Sequence, residues 1–186
     1  MNLLKYLETN CGDKERKSTS FRKKIIDFIK ELIENFGDFC VEYLEYMRNM
    51  CSSIYISEQS LVVKEKILSL IAKIISHYDP DLVSKIYKPQ IYLEFLLDEI
   101  KLKKLSGSIK GGIWHIIGIL VGKYSLILNE YKIEIHDVLF HEFKSLLSTS
   151  KKFEFKAATG ILKSYLYLLE DPHLTSDQSK EFFNFH

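Results

Sequence analysis

"KGGIWHIIGILVGKY", residues 110–124, combines four glycines with the chain's only tryptophan, Trp114. It contains neither the GxxxxGK[ST] spacing of a P-loop nor the GxGxxG spacing of a dinucleotide-binding turn. Its uncharged run from Gly111 to Gly122 has 12 residues, whereas a membrane-spanning helix needs about 20. The apolar residues instead follow the n, n+1, n+3, n+4, n+7, n+8 pattern of one helix face: Ile113, Trp114, Ile116, Ile117, Leu120 and Val121. We therefore predict a core helix whose glycines let neighbouring helices approach closely.

The same six-position stripe begins at residues 25, 67, 113 and 158, at intervals of 42, 46 and 45 residues. A second helical pattern follows each of the first three stripes, over 38–54, 89–103 and 134–147. Helix pairs repeated about every 40–47 residues are typical of HEAT and armadillo arrays. Such pairs stack into a solenoid because one pair cannot bury its apolar face alone. A non-repetitive helical bundle is the alternative, because amphipathic helices resemble one another.

These patterns predict an all-α fold, a HEAT/armadillo-like α-solenoid of about four antiparallel helix pairs. We expect a lead segment over 1–20 and the solenoid over 21–186, ending within a repeat as a piece of a longer array. The first helices of the pairs are expected near 21–36, 58–77, 108–127 and 153–170. Gly37 is expected to close the first of these helices in the left-handed conformation that glycine tolerates.

The overall composition excludes several classes of site. The net charge is +1, from 26 basic and 25 acidic residues, so any electrostatic partner must be inferred from where charges cluster. Cys11, Cys40 and Cys51 form no CxxC pair, so neither a disulfide framework nor a zinc site is indicated, and a reducing intracellular compartment fits best. The first ten residues lack the features of a signal peptide.

Charged residues separate onto two edges of the predicted solenoid. The acidic edge takes the ends of the first helices and the starts of the second helices: Glu31, Glu34, Asp38, Glu42, Asp79, Asp81, Glu130, Glu134, Asp137, Glu170 and Asp171. The opposite edge is basic and includes Lys64, Lys66 and Lys156. Nine further residues of that edge are our candidates for binding DNA or a partner: Arg22, Lys23, Lys24, Lys101, Lys103, Lys104, Lys110, Lys151 and Lys152.

The candidate basic residues differ in whether they lie at the start or at the end of a predicted helix. Cations at 101–104 end a helix, where the macrodipole favours positive charge, so they have a structural explanation. Arg22, Lys23 and Lys24 begin a helix, where cations are disfavoured, and this favours a functional role such as contact with backbone phosphates. No aromatic residues are interleaved with the basic ones in a nucleic-acid-binding motif, so base-specific recognition is not expected.

No catalytic or metal site is predicted. The most suggestive polar cluster is His136, Asp137, His141 and Glu142. Its histidines are five residues apart, whereas the HExxH zinc motif places them four apart on one helix face. We expect no enzymatic activity in this segment, no cofactor and no small-molecule substrate.

Three stretches resemble a known family. They are SSIYISEQSLVVKEKILSLIAKI (52–74), IYLEFLLDEIKLKKLSGSIKGGIWHIIGILVG (91–122) and FKAATGILKSYLYLLEDPHLTSDQSKEFFNF (155–185). In this order they resemble the extreme N-terminal helical-repeat region of the DNA-dependent protein kinase catalytic subunits, within the phosphatidylinositol-3-kinase-related kinase family. The resemblance covers about 21–185, is closest over the DP–TS–Q–S–E–FNF run of 171–185, and does not extend to the first twenty residues.

The resemblance implies a non-catalytic scaffold: the N-terminal arm of a very large nuclear serine/threonine kinase. In that family the arm receives the Ku heterodimer and DNA ends during non-homologous end joining, and no membrane is involved. The catalytic domain would lie outside this chain, which contains neither HRD nor DFG. Two alternatives remain open: a HEAT or armadillo adaptor for a protein or peptide unrelated to DNA repair, and a small helical enzyme.

Overall fold

A computed structural model describes residues 19–102, 104–148 and 158–164 of the chain. Within these ranges the backbone forms helices, turns and no strand. The helices are α1 (Thr19–Cys40), α2 (Leu44–Ser57), α3 (Leu61–His77), α4 (Pro80–Tyr87), α5 (Pro89–Leu102), α6 (Gly107–Lys123) and α7 (Lys132–Ser148), and residues 158–164 are also helical. The predicted all-α class is confirmed, whereas the solenoid of about four repeats stays a prediction.

The chain divides into two compact units between Lys88 and Pro89. In the first unit α1 packs mainly against α3, while α2 packs against α3 and α4. Buried residues recur every three or four positions along each helix, as expected when burial of one apolar face drives pairing. In α1 and α3 they are Ile26, Ile29, Ile33, Val63, Ile67, Leu68, Leu70, Ile71, Ala72, Ile74 and Ile75.

The end of α1 differs from the sequence prediction. No glycine in the described ranges has a positive φ, so the prediction of a left-handed Gly37 is wrong. The helix instead kinks at Phe36 (φ −137°, ψ 37°) and continues to Cys40. The Tyr78 hydroxyl donates a hydrogen bond to the Gly37 carbonyl at 3.0 Å, and a Cβ on Gly37 would collide with the His77 ring. Glycine at 37 therefore takes no special backbone conformation, and the exposed His77 ring would have to turn away from a side chain added there.

Helix α4 was not anticipated by the repeat pattern. Asp79 caps its start, accepting a hydrogen bond from the Asp81 backbone N–H at 2.8 Å, and Pro80 occupies the first turn, where it is well tolerated. Lys88 closes the helix with φ 47° and ψ 79°, and it precedes Pro89. A lysine is strained there because its Cβ disfavours the left-handed region.

We expect Lys88→Gly to raise the free energy of unfolding by about 1 kcal/mol, because glycine adopts a positive φ without strain. Urea denaturation followed by circular dichroism measures the change. Lys85→Gly is the matched control, since it removes the same charge from within the same helix and should lower stability by about 1 kcal/mol. A loss of stability in both variants would contradict the strain at Lys88.

In the second unit α5 packs against α6 and α7, and α6 contains the stretch that was predicted as a core helix. Trp114 is fully buried, with Ile113, Ile116, Ile117 and Leu120. Helix 158–164 crosses α6 so closely that a Cβ on Gly160 would lie 2.6 Å from the Gly111 Cα. The buried Ser164 hydroxyl reaches the carbonyl oxygens of Trp114 and Gly160. The prediction of burial is confirmed for this stretch, and the predicted close approach of a neighbouring helix is confirmed at Gly111.

Candidate functional site

The nine candidate basic residues divide between the two units. Arg22, Lys23 and Lys24 occupy the first turns of α1, in the first unit. In the second, Lys101 is in the last turn of α5, Lys104 lies between α5 and α6, and Lys110 is in the first turn of α6. Lys103, Lys151 and Lys152 lie outside the described residues, as does Lys156. Each unit therefore presents its own set of cations.

Arg22 is engaged within the protein. Its guanidinium forms an ion pair with Glu58, and the side chains are 13% and 5% exposed. The other carboxylate oxygen of Glu58 accepts hydrogen bonds from the backbone N–H groups of Gln59 (2.9 Å) and Ser60 (2.7 Å). Glu58 thus satisfies backbone donors at the start of α3 while holding α1 to it. This pairing explains the arginine at a helix start, which by sequence favoured a functional role.

Other basic-edge residues also join neighbouring helices. Lys110 pairs with Glu142 at 2.6 Å, and Lys101 pairs with Glu134. Both pairs connect the second unit's helices to α7. In the first unit Lys66 pairs with Asp27 at 2.7 Å, and the Lys64 ammonium lies 5.1 Å from the centre of the Tyr55 ring. Much of the predicted basic edge is therefore neutralised by acidic partners inside its own unit.

Three candidates keep an uncompensated charge. Lys23, Lys24 and Lys104 have no ion-pair partner among the residues that the structure describes. Lys24 and Lys104 are exposed, and Lys23 is half-buried. An exposed ammonium without a carboxylate partner can contact a phosphate without first breaking an internal ion pair. Among the candidates that the structure describes, these three cations are the best placed for such a contact.

The polar clusters offer structural roles. His136 contacts Asp137 at 3.3 Å and stacks on Phe140. No group of three or more potential ligands that could hold a metal ion occurs in the described ranges.

The Tyr131 hydroxyl donates a hydrogen bond to the Glu94 carboxylate, and the two oxygens are 2.6 Å apart. This hydrogen bond raises the pKa of Tyr131 to about 12. Tyr131 therefore stays protonated and ties the Asn129–Tyr131 turn to α5.

His115 lies next to Trp114 in α6. Burial lowers its pKa below 6.5, and the nearby charge of Lys163 acts in the same direction. Both effects favour the neutral imidazole, because they disfavour the charged form. In the part of the chain that the structure describes, its Nδ1 is buried without a hydrogen-bond partner. We regard His115 as part of the packing around α6.

No described helix is both long enough and apolar enough to cross a membrane.

Comparison with known protein families assigns almost the whole chain to one family. The family model described as DNA-PKcs, N-terminal, matches residues 2–186. The chain belongs to this family. The match also includes residues 2–20, which the sequence resemblance had left out. The family is the N-terminal region of DNA-PKcs and lacks its kinase domain. A search of curated proteins finds no significant match.

Sequence reasoning missed Glu58. It precedes Ser60 and Leu61 at the start of α3, and an acidic residue beside a helix start is a recognisable capping signal. The sequence could not show that its partner is Arg22, 36 residues earlier, because that pairing depends on how α1 packs against α3.

Proposed function

We propose that this chain is a non-catalytic binding segment, the N-terminal arm of a DNA-PKcs-like kinase, and that it acts in the nucleus in the repair of DNA double-strand breaks. The observation that carries this proposal is the family match over 2–186. The all-helical fold supports it, because arrays of paired helices form extended binding surfaces. The expected partners are the Ku heterodimer, DNA ends and the remainder of a large kinase chain.

Within this proposal, contact with DNA is directed to the backbone phosphates. Lys23, Lys24 and Lys104 are the cations whose charge is available, whereas Arg22, Lys101 and Lys110 already have carboxylate partners. Ammonium groups bind phosphates without regard to sequence, as a protein that receives any broken end requires. We therefore expect weak, sequence-independent and strongly salt-dependent binding.

Charge reversal tests this role. The triple variant Lys23→Glu, Lys24→Glu, Lys104→Glu should bind a fluorescein-labelled blunt duplex about tenfold more weakly at low salt, with a shallower dependence of affinity on salt. The matched control reverses three exposed lysines elsewhere, Lys85, Lys144 and Lys163, and has the same net charge. Fluorescence anisotropy measures both. Equal binding by the two triple variants would contradict specific use of the three candidate lysines.

The place of the segment in a larger kinase has its own test. Sequencing the transcript downstream of the codon for His186 should reveal further helical repeats followed by a kinase domain with HRD and DFG motifs. A stop codon directly after His186 would contradict the proposed parent protein and favour an independent adaptor.

A further inference from the structure

Five apolar side chains between the middle of α1 and the turn that follows it are exposed, and we call them the α1 aromatic surface: Phe28, Phe36, Phe39, Val41 and Tyr43. Phe36 is 55% exposed and Phe39 is 80% exposed. All five lie in the 16 residues that include the second half of α1 and the following Val41–Tyr43 turn. Single exposed apolar residues are common, but several large ones so close together along the chain indicate an interaction site.

The α1 aromatic surface is separate from the face of α1 that forms the core. Ile26, Ile29 and Ile33 are buried, while Phe28 is 48% exposed on another side of the helix and Phe36 is exposed at the kink. The sequence stripe had assigned Phe28 to the core. The core of the first unit is thus built without these aromatic side chains, and their exposure needs another reason.

Acidic residues border the α1 aromatic surface. Glu31, Asp38, Glu42 and Glu45 are exposed, and none has an ion-pair partner among the described residues. Glu42 and Glu45 begin the next helical turns, where negative charge is favoured. Asp38 lies near the end of α1, whose last turn contains no basic residue, and there negative charge opposes the macrodipole. Local helix preference therefore does not account for Asp38.

The acidic residues near the α1 aromatic surface indicate which kind of partner can bind there. A second copy of this chain, docked through the same surface, would bring these carboxylates face to face, because a two-fold interface pairs each patch with itself. A helix with apolar residues on one side and lysines or arginines beside them would bury the aromatic rings and neutralise the carboxylates together. We propose that the α1 aromatic surface is a docking site for a basic amphipathic helix of another protein.

A pair of designed peptides tests this. The probe is a fluorescein-labelled helix of about 18 residues with leucines every three or four positions and lysines elsewhere, and its twin carries glutamates in place of the lysines. The full chain should bind the lysine peptide at least about tenfold more tightly than the glutamate peptide. Phe39→Ser should weaken binding about tenfold, as truncation of a central aromatic anchor does, and Asp38→Lys with Glu42→Lys should do the same.

Matched control variants distinguish binding at the α1 aromatic surface from non-specific binding of the peptide elsewhere on the protein. Leu102 is 79% exposed in the other unit, so Leu102→Ser removes a comparable apolar group, and Asp81→Lys with Asp98→Lys reverses two exposed carboxylates elsewhere. Neither control should change the affinity for the lysine peptide. Equal binding of both peptides, or equal weakening by the controls, would overturn the proposal. A dimer in sedimentation velocity that Phe39→Ser dissociates would overturn it in favour of a second copy.

Discussion

Glu58→Ala should lower the free energy of unfolding by about 3 kcal/mol, because it removes a carboxylate that is paired with the Arg22 guanidinium in a largely buried position. The side chains of the pair are 13% and 5% exposed, so little water can replace the carboxylate. The same change removes the acceptor for the backbone N–H groups of Gln59 and Ser60 at the start of α3. Urea denaturation at neutral pH measures the loss.

Two variants show whether burial is the cause. Glu134→Ala breaks the ion pair with Lys101, whose side chains are 37% and 46% exposed, and should cost less than about 1 kcal/mol. Arg22→Met with Glu58→Leu removes both charges and should restore much of the stability lost in Glu58→Ala. If Glu58→Ala is no more harmful than Glu134→Ala, the pair does not hold α1 to α3.

Gly160→Ala should also be strongly destabilising, by about 2–3 kcal/mol. In a free helix the same change would be stabilising by about 1 kcal/mol, so the expected sign is reversed by packing. The added Cβ would lie 2.6 Å from the Gly111 Cα and 2.8 Å from its carbonyl carbon. Both are backbone atoms of α6 and cannot rotate away, so helix 158–164 must move off α6 and uncover Trp114.

Gly122→Ala is the control for this prediction. Gly122 is exposed near the end of α6, so alanine there should raise stability slightly through helix propensity alone. Thermal denaturation and the tryptophan emission wavelength report both variants, and emission of Gly160→Ala should shift to the red as water reaches Trp114. A stable Gly160→Ala protein with unchanged emission would show that the two helices do not meet at these glycines.

The periodic spacing of apolar residues predicted which positions of a helix are buried when the helix has a single apolar side. The stripe from Ile113 to Val121 identified α6 as a core helix, and every one of its six positions is buried. The stripe in α1 was less informative because α1 has two apolar sides, and only packing against α3 selects Ile26, Ile29 and Ile33 over Phe28. Helix α4 was missed because eight residues give too short a pattern to stand apart from the repeat.

For the candidate basic residues too, the sequence predicted one part and helix packing determined the other. Clustering of charge in the sequence identified the basic residues, but exposure and pairing divided them, leaving Lys23, Lys24 and Lys104 available and engaging Arg22, Lys101 and Lys110. A cation at a helix start indicates function only when no carboxylate from another helix reaches it. Glu58 reaches Arg22 across 36 residues of chain, a distance over which sequence spacing carries no information.

Local periodicity and the order of matched residues suffice to assign the all-α class, the burial of α6 and membership of the DNA-PKcs N-terminal family. Packing between helices determines which face of α1 is buried, why residue 160 is a glycine, and which cations are neutralised. Those properties depend on groups distant along the chain, which come together when helices pack.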